Sequence, residues 1–153
     1  MSAPSTPPPL SLRIARGADA PVLAALEAAC FPSAWTPEQL AAELGHATGI
    51  GLLASHAEAP VGYALYRVAF DEAELLRLAV LPEWRRRGAA RELLARGEAA
   101  LRVRGCHASF LEVREENLPA IRLYESCGWR RVGRRLRYYP DGAAALLYRR
   151  ELA

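Results

Sequence analysis

The chain has 153 residues, 52% of them hydrophobic and 24% charged, with a formal net charge of +3. That length suits one ordinary domain with its own core, not two; no apolar run is long enough to cross a bilayer, and no charged-then-apolar leader precedes a cleavage site. All 20 lysine-or-arginine positions are arginine, which excludes Schiff-base and lysine-base mechanisms.

Residues 1–10 are rich in Ser and Pro and lack periodicity, predicting a disordered tail ahead of a single domain over residues 11–153. "LSLRIAR" then alternates like a first strand. "DAPVLAALEAACF" has helical spacing, with Asp19 as its cap and an early Pro21. A second helix is marked by Thr36 as N-cap, Pro37 at its first position, Gln39 completing a capping box and Gly45 past its end. "GIGLLAS" and "PVGYALYRVAF" read as strands joined by "HAEA", and "EAELLRLAVL" as a third that stops at Pro82. "AARELLARGEAALRVRG" is helical to Gly105 and "ASFLEVR" is a short strand. "NLPAIRLYESCG" is a compact helix between Asn117 and Gly128. The remainder reads as two strands joined around Pro140-Asp141-Gly142. The order β-α-α-β-β-β-α-β-α-β-β predicts an α+β (mixed α/β) fold, a mixed sheet with helices on its faces.

Cys30, Cys106 and Cys127 are odd in number and widely spaced. They fit neither a disulfide framework nor a zinc pattern, so the expectation is reduced, buried thiols in a cytoplasmic protein with no metal. Charge is divided unevenly. Between Asp19 and Glu74 the only basic residue is Arg67, whereas from Arg77 onward arginines dominate. The densest group, Arg85, Arg86 and Arg87, stands before Gly88, Ala89 and Ala90 at the start of a predicted helix. The first N–H groups of a helix lack internal partners and its dipole favours an anion there. Small residues let a ligand approach the backbone, and guanidinium groups that face phosphates lose their mutual repulsion. The local sequence alone leaves a solvated charged turn equally open, and it is neither a P-loop nor a dinucleotide fingerprint.

The wider pattern is more specific. "LRLAVLPEWRRRGAARELL" resembles the acetyl-CoA-binding motif of the GNAT superfamily of N-acetyltransferases, [Q/R]-x-x-G-x-[G/A], which falls on Arg85, Gly88 and Ala90. "LEVREENLPAIRLYESCGW" and "RLRYYPDG" are similar to motifs of one branch, the bacterial ribosomal-protein alanine N-acetyltransferases. The resemblance implies a central, mostly antiparallel mixed sheet whose fourth and fifth strands splay apart, flanked by about four helices. Acetyl-CoA would enter the gap. Backbone groups of Leu78, Ala79 and Val80 would meet the pantetheine and acetyl group, with Val80 N–H on the thioester oxygen. The loop from Arg85 to Ala90 would take the pyrophosphate, and Asn117 would also bind the cofactor.

Glu112 lies on the same strand face as Phe110, where apolar packing would otherwise continue; partial burial there would suit a base. Read without the resemblance, a strand-end glutamate in water is as good an account. The resemblance makes Glu112 the proton acceptor. It makes Tyr124 the proton donor, although its helical neighbours Ala120, Ile121 and Cys127 also suit a plain core tyrosine. The acceptor peptide would lie near Phe31, Trp35, Tyr138 and Tyr139, of which Phe31 and Trp35 also read as a staple between two helices. A protein α-amine, with a pKa of about 7.8, is neutral in roughly one molecule in seven at pH 7, against about one in 2,500 for lysine at about 10.4. One glutamate therefore suits an N-terminal amine.

The expected activity is acetylation of the N-terminal alanine of a small-subunit ribosomal protein, by direct transfer in a ternary complex, with no nucleic-acid or membrane partner. An acetyltransferase for another protein or a small amine is the alternative. A nucleic-acid-binding module is disfavoured, because the arginines fall on separate predicted elements and aromatics are not interleaved with them. Two positions depart from the family pattern: Arg85 replaces glutamine, and Ala143, Ala144 and Ala145 replace polar residues after the turn.

Overall fold

The computed structural model describes residues 9–153. The predicted tail, apart from Pro9 and Leu10, lies outside the described residues. The elements follow the predicted order: β1 (Ser11–Ala15), α1 (Ala20–Cys30), α2 (Pro37–Leu44), β2 (Gly49–His56), β3 (Ala59–Ala69), β4 (Glu72–Val80), α3 (Ala89–Val103), β5 (Ala108–Arg114), α4 (Leu118–Ser126), β6 (Arg130–Arg135) and β7 (Ala145–Glu151).

Local chemistry sets the helix ends. The Thr36 hydroxyl accepts the Gln39 N–H at 3.1 Å, while Gln39 Oε1 accepts the Thr36 N–H at 2.9 Å, closing the reciprocal cap on α2. Asn117 Oδ1 accepts the Ala120 N–H at 3.3 Å at the start of α4. Asp19 departs from expectation. It stands before α1 without capping it; its carboxylate instead accepts the Arg16 N–H at 2.8 Å and both Nη groups of Arg13 at 2.7 and 2.9 Å. The Arg13 fork holds that carboxyl down at about 2. The structural reason is an extra 3-10 turn, Gly17–Asp19, that takes the carboxylate for itself.

The seven strands form one sheet in the order β1-β2-β3-β4-β5-β7-β6, antiparallel except where β4 meets β5. Successive strand residues point to opposite faces. Leu53, Tyr63 and Leu65 therefore pack with Leu23 and Leu26 of α1 and Leu40 of α2, and Leu52, Ala64 and Tyr66 pack with Leu93, Leu94 and Leu101 of α3. Each fully buried leucine contributes about 1.5–3 kcal/mol relative to exposure. Helix α3 can approach β3 closely because a Cβ at Gly97 would fall 2.5 Å from the Tyr66 ring. The α1–α2 core uses no residue of β5, β6 or β7. On that side the helical layer stops at β4, and Phe110 and Glu112 are only half-buried.

Candidate active site

Strands β4 and β5 run parallel for three register pairs only, Glu72 with Ala108, Ala73 with Ser109 and Glu74 with Phe110. Just beyond, the β3–β4 register slips: Tyr66 pairs with Leu75 and Leu65 with Arg77, leaving Leu76 unpaired. A bulge bends its strand, and from here β4 parts from β5. The predicted splay is present. Just past the end of β4, the Leu81 N–H donates to the Val61 carbonyl of β3 at 2.9 Å. Backbone groups alternate in direction along a strand, so those of Leu78 and Val80 face the opening. Leu78 is half-buried, and Ala79 and Val80 are buried. The Val80 carbonyl already accepts Arg85 Nε at 3.2 Å and the Cys30 thiol at 3.4 Å.

The arginine loop follows directly. Arg85, Arg86, Arg87 and Gly88 are exposed, Ala89 is buried and Ala90 half-buried. Gly88 takes φ +86 at the N-cap of α3, no side chain caps the helix, and a Cβ on Gly88 would meet nothing within 4 Å. Arg86 also adopts positive φ, +61, a left-handed conformation that costs about 1–2 kcal/mol outside glycine. Arg87 lies over the Trp84 ring at 5.1 Å. The loop thus presents three exposed arginines beside an uncapped helix start.

Across the opening, Glu112 is 23% exposed, with Oε1 3.8 Å from Arg135 Nη1. Tyr138 and Tyr139 meet edge-on at 5.1 Å. The Glu112 carboxylate, within reach of the Tyr138 hydroxyl, pushes that phenol up; burial, then Glu112, does the same to Tyr139. The structure therefore gathers Glu112, Tyr138 and Tyr139. Arg114 lies over the Tyr139 ring at 4.7 Å and pairs with Glu116 and Asp141. Ala143 works through its backbone, accepting both tyrosine N–H groups at 3.1 Å, and Ala144 and Ala145 are buried.

Tyr124 is half-buried on α4, its ring 5.9 Å from that of Trp129. Burial pushes its hydroxyl up to about 12, opposed in part by the positive charge of Arg77. Asn117 is exposed at the start of the same helix and keeps its amide N–H groups free of the capping bond.

Phe31 and Trp35 lie between α1 and α2 and pack against the core beneath those helices. Both rings lie against the Arg77 guanidinium, at 4.2 and 5.3 Å. Arg77 is held by Glu27, which is fully buried, at 2.8 Å. Neither Glu27 nor Arg77 was expected to matter. One signal was available: Glu27 follows Leu23 by four residues, on the apolar stripe of α1, where an acid needs a buried partner. Glu74 was also missed. Its carboxyl is pushed up by burial and then by the negative charge of Glu112 across the splay.

The three cysteines are free, but only Cys106 is buried; Cys30 and Cys127 are half-buried at helix ends. Among the described residues there is no group of three or more His, Cys, Asp or Glu side chains able to hold a metal, and no helix is long and apolar enough to cross a membrane.

The family model for the acetyltransferase (GNAT) family matches residues 20–129. An uncharacterised protein of Mycobacterium leprae is 42% identical over 122 residues, 76% of this chain and 33% of that one. The ribosomal protein bS18-alanine N-acetyltransferase of Salmonella typhimurium is 44% identical over 78 residues, 51% of this chain and 53% of that one. The chain thus spans from a third to about half the length of these curated relatives. The crystal structure of the ribosomal-protein-S18-alanine N-acetyltransferase from Escherichia coli superposes with a TM-score of 0.87 at 28% identity, covering 94% of each chain.

Proposed function

The chain belongs to the acetyltransferase (GNAT) family, and we propose that residues 11–153 form one catalytic domain that moves acetyl from acetyl-CoA to the N-terminal α-amine of a protein, a small-subunit ribosomal protein beginning with alanine. The observation that carries this reading is the parting of β4 from β5 after Glu74 and Phe110. It leaves an opening with a basic, uncapped helix start at one end and a carboxylate on its far wall. The likeness to the alanine N-acetyltransferases of Salmonella and E. coli supports the choice of acceptor.

The residues present suit acetyl-CoA. Arg85, Arg86, Arg87 and the N–H groups of Gly88, Ala89 and Ala90 would hold its diphosphate. The strand edge from Leu78 to Val80, with the backbone groups of Leu78 and Val80 turned outward and Ala79 between them, would run beside its pantetheine arm, and the Asn117 amide would donate to it. When bound, acetyl-CoA supplies a thioester carbonyl open to attack by an amine.

Glu112 takes the proton that the α-amine must lose, directly or through water. Val80 N–H donates to the carbonyl oxygen as negative charge develops there. Tyr124 gives its proton to the departing sulfur. Phe31 and Trp35 on one side, with Tyr138 and Tyr139 on the other, flank the acceptor chain. All of this takes place in the cytoplasm, where ribosomal proteins are made.

The test uses purified protein, acetyl-CoA and two peptides with the N-terminal sequence of a small-subunit ribosomal protein. One has a free α-amine; the other has that amine blocked and carries a free lysine. Mass spectrometry should find one acetyl group on the first and none on the second. Acetylation confined to lysine, or to a small amine supplied in competition, would overturn the assignment of acceptor while leaving the chemistry.

A further inference from the structure

We propose that Arg77 is a positioning residue for the acceptor: clamped by Glu27, it fixes Phe31 and Trp35 as one wall of the acceptor groove. The inference rests on the acetyl-transfer reading above. Residues 31–36, between α1 and α2, form no helix or strand of their own, so something else must set where their aromatic rings stand. Arg77 Nε donates to Glu27 Oε1 at 3.0 Å, and the same oxygen accepts the Trp35 backbone N–H at 3.0 Å. The guanidinium carbon of Arg77 then lies 4.2 Å from the centre of the Phe31 ring and 5.3 Å from that of Trp35. One buried carboxylate thus fixes both the backbone of this segment and the cation on which its rings rest.

Burying such a pair brings little net stability, since apolar residues of equal volume do as well. What the pair adds is direction: a flat fork stacks on rings at a defined angle, and a leucine would not. Tyr63 completes the cluster, its hydroxyl buried without a partner among the described residues and its phenol pushed up by burial and then by Glu27. Arg77 directly precedes Leu78 on β4, so the segment that would receive the donor also braces the acceptor wall.

The test compares Arg77→Met, Arg77→Lys and the double variant Glu27→Gln/Arg77→Met, which keeps an oxygen for the Trp35 N–H and removes both charges. Thermal melting and KM for the alanine-initiated peptide and for acetyl-CoA are measured for each. The double variant should melt close to wild type. Its peptide KM should rise about tenfold while its acetyl-CoA KM stays within about twofold. Arg77→Lys, which keeps the charge without the flat fork, should raise peptide KM in the same way, and it carries the comparison should the double variant fail to fold. Adding Phe31→Ala to the double variant should cost nothing more, because the ring has already lost its support. A folded variant with unchanged peptide KM, or with both KM values rising together, overturns the inference. A wild-type enzyme that acetylates no α-amine overturns the reading beneath it, and the inference with it.

Discussion

Tyr124 poses an energetic problem for its own proposed role. Burial pushes its hydroxyl up to about 12, whereas a thiol lies at about 8.5, so a stepwise gift of the proton to a free thiolate would run uphill by an amount on the order of 5 kcal/mol. The transfer must therefore be coupled to the breaking of the carbon–sulfur bond, whose favourable collapse offsets that cost. The same raised value keeps the phenol protonated far into alkali. Turnover should show no fall between about pH 9 and pH 10, where an ordinary tyrosine at about 10 would begin to fail. Tyr124→Phe should lower kcat by roughly 10–100-fold with acetyl-CoA KM little changed. A purely structural tyrosine would give the opposite pattern, a lower melting temperature and a normal rate per folded molecule. Glu112→Gln is the complementary variant. It should bind acetyl-CoA normally and lose roughly 100-fold or more in turnover, the defect easing as pH rises and more of the α-amine is neutral without help. A defect of constant size across pH would remove Glu112 as the base.

At the scale of elements, the decisive feature is how β4 ends and α3 begins. Gly88 has the left-handed φ that disfavours any side chain, yet the space beside it is open. Two substitutions separate backbone strain from charge. Gly88→Ala should cost about 1 kcal/mol of stability and leave acetyl-CoA binding largely intact. Gly88→Glu should pay the same strain and abolish binding, read by calorimetry, because it sets a carboxylate where a diphosphate would lie. Equal losses in both would assign the effect to strain alone. The elements themselves were legible because their ends are written in neighbouring residues: Thr36 with Gln39 opens α2, and Asn117 and Gly128 bracket α4. What escaped sequence reasoning depends on partners far apart in the chain. Asp19 looked like a cap until Arg13 and Arg16 claimed it. Glu27 and Arg77 are 50 residues apart, and only the closed fold makes a buried pair of them. The splay itself was expected from resemblance; the extra residue at Leu76 that accompanies it has no signature in local spacing.

Across the whole molecule, the excess of arginine invites a different function, and the ion pairs answer part of it. Arg13, Arg67, Arg77, Arg114, Arg130, Arg134, Arg135, Arg149 and Arg150 each lie within 4.0 Å of a carboxylate oxygen. Cations already matched this way, spread over β1, β3, β4, β5, β6 and β7, do not make a continuous groove for a nucleic-acid backbone, which needs unmatched charge and releases counterions for each phosphate it neutralises. Arg85, Arg86 and Arg87 have no such carboxylate partner among the described residues; Arg16, Arg91, Arg96, Arg102, Arg104, Arg122, Arg131 and Arg137 share that property but are scattered, whereas these three are consecutive and directly precede the start of α3. The densest unmatched charge therefore stands at one helix start, where a compact anion would fit. Titration with CoA should give saturable one-to-one binding that weakens modestly as salt rises from about 50 to 200 mM, as expected for a few phosphate contacts. Titration with single-stranded or duplex RNA over the same range should give no saturable binding at the higher salt. RNA bound as tightly as CoA, with a steep salt dependence, would mean that the arginines together form a polymer-binding surface and that the loop before α3 is not the protein's principal anion site.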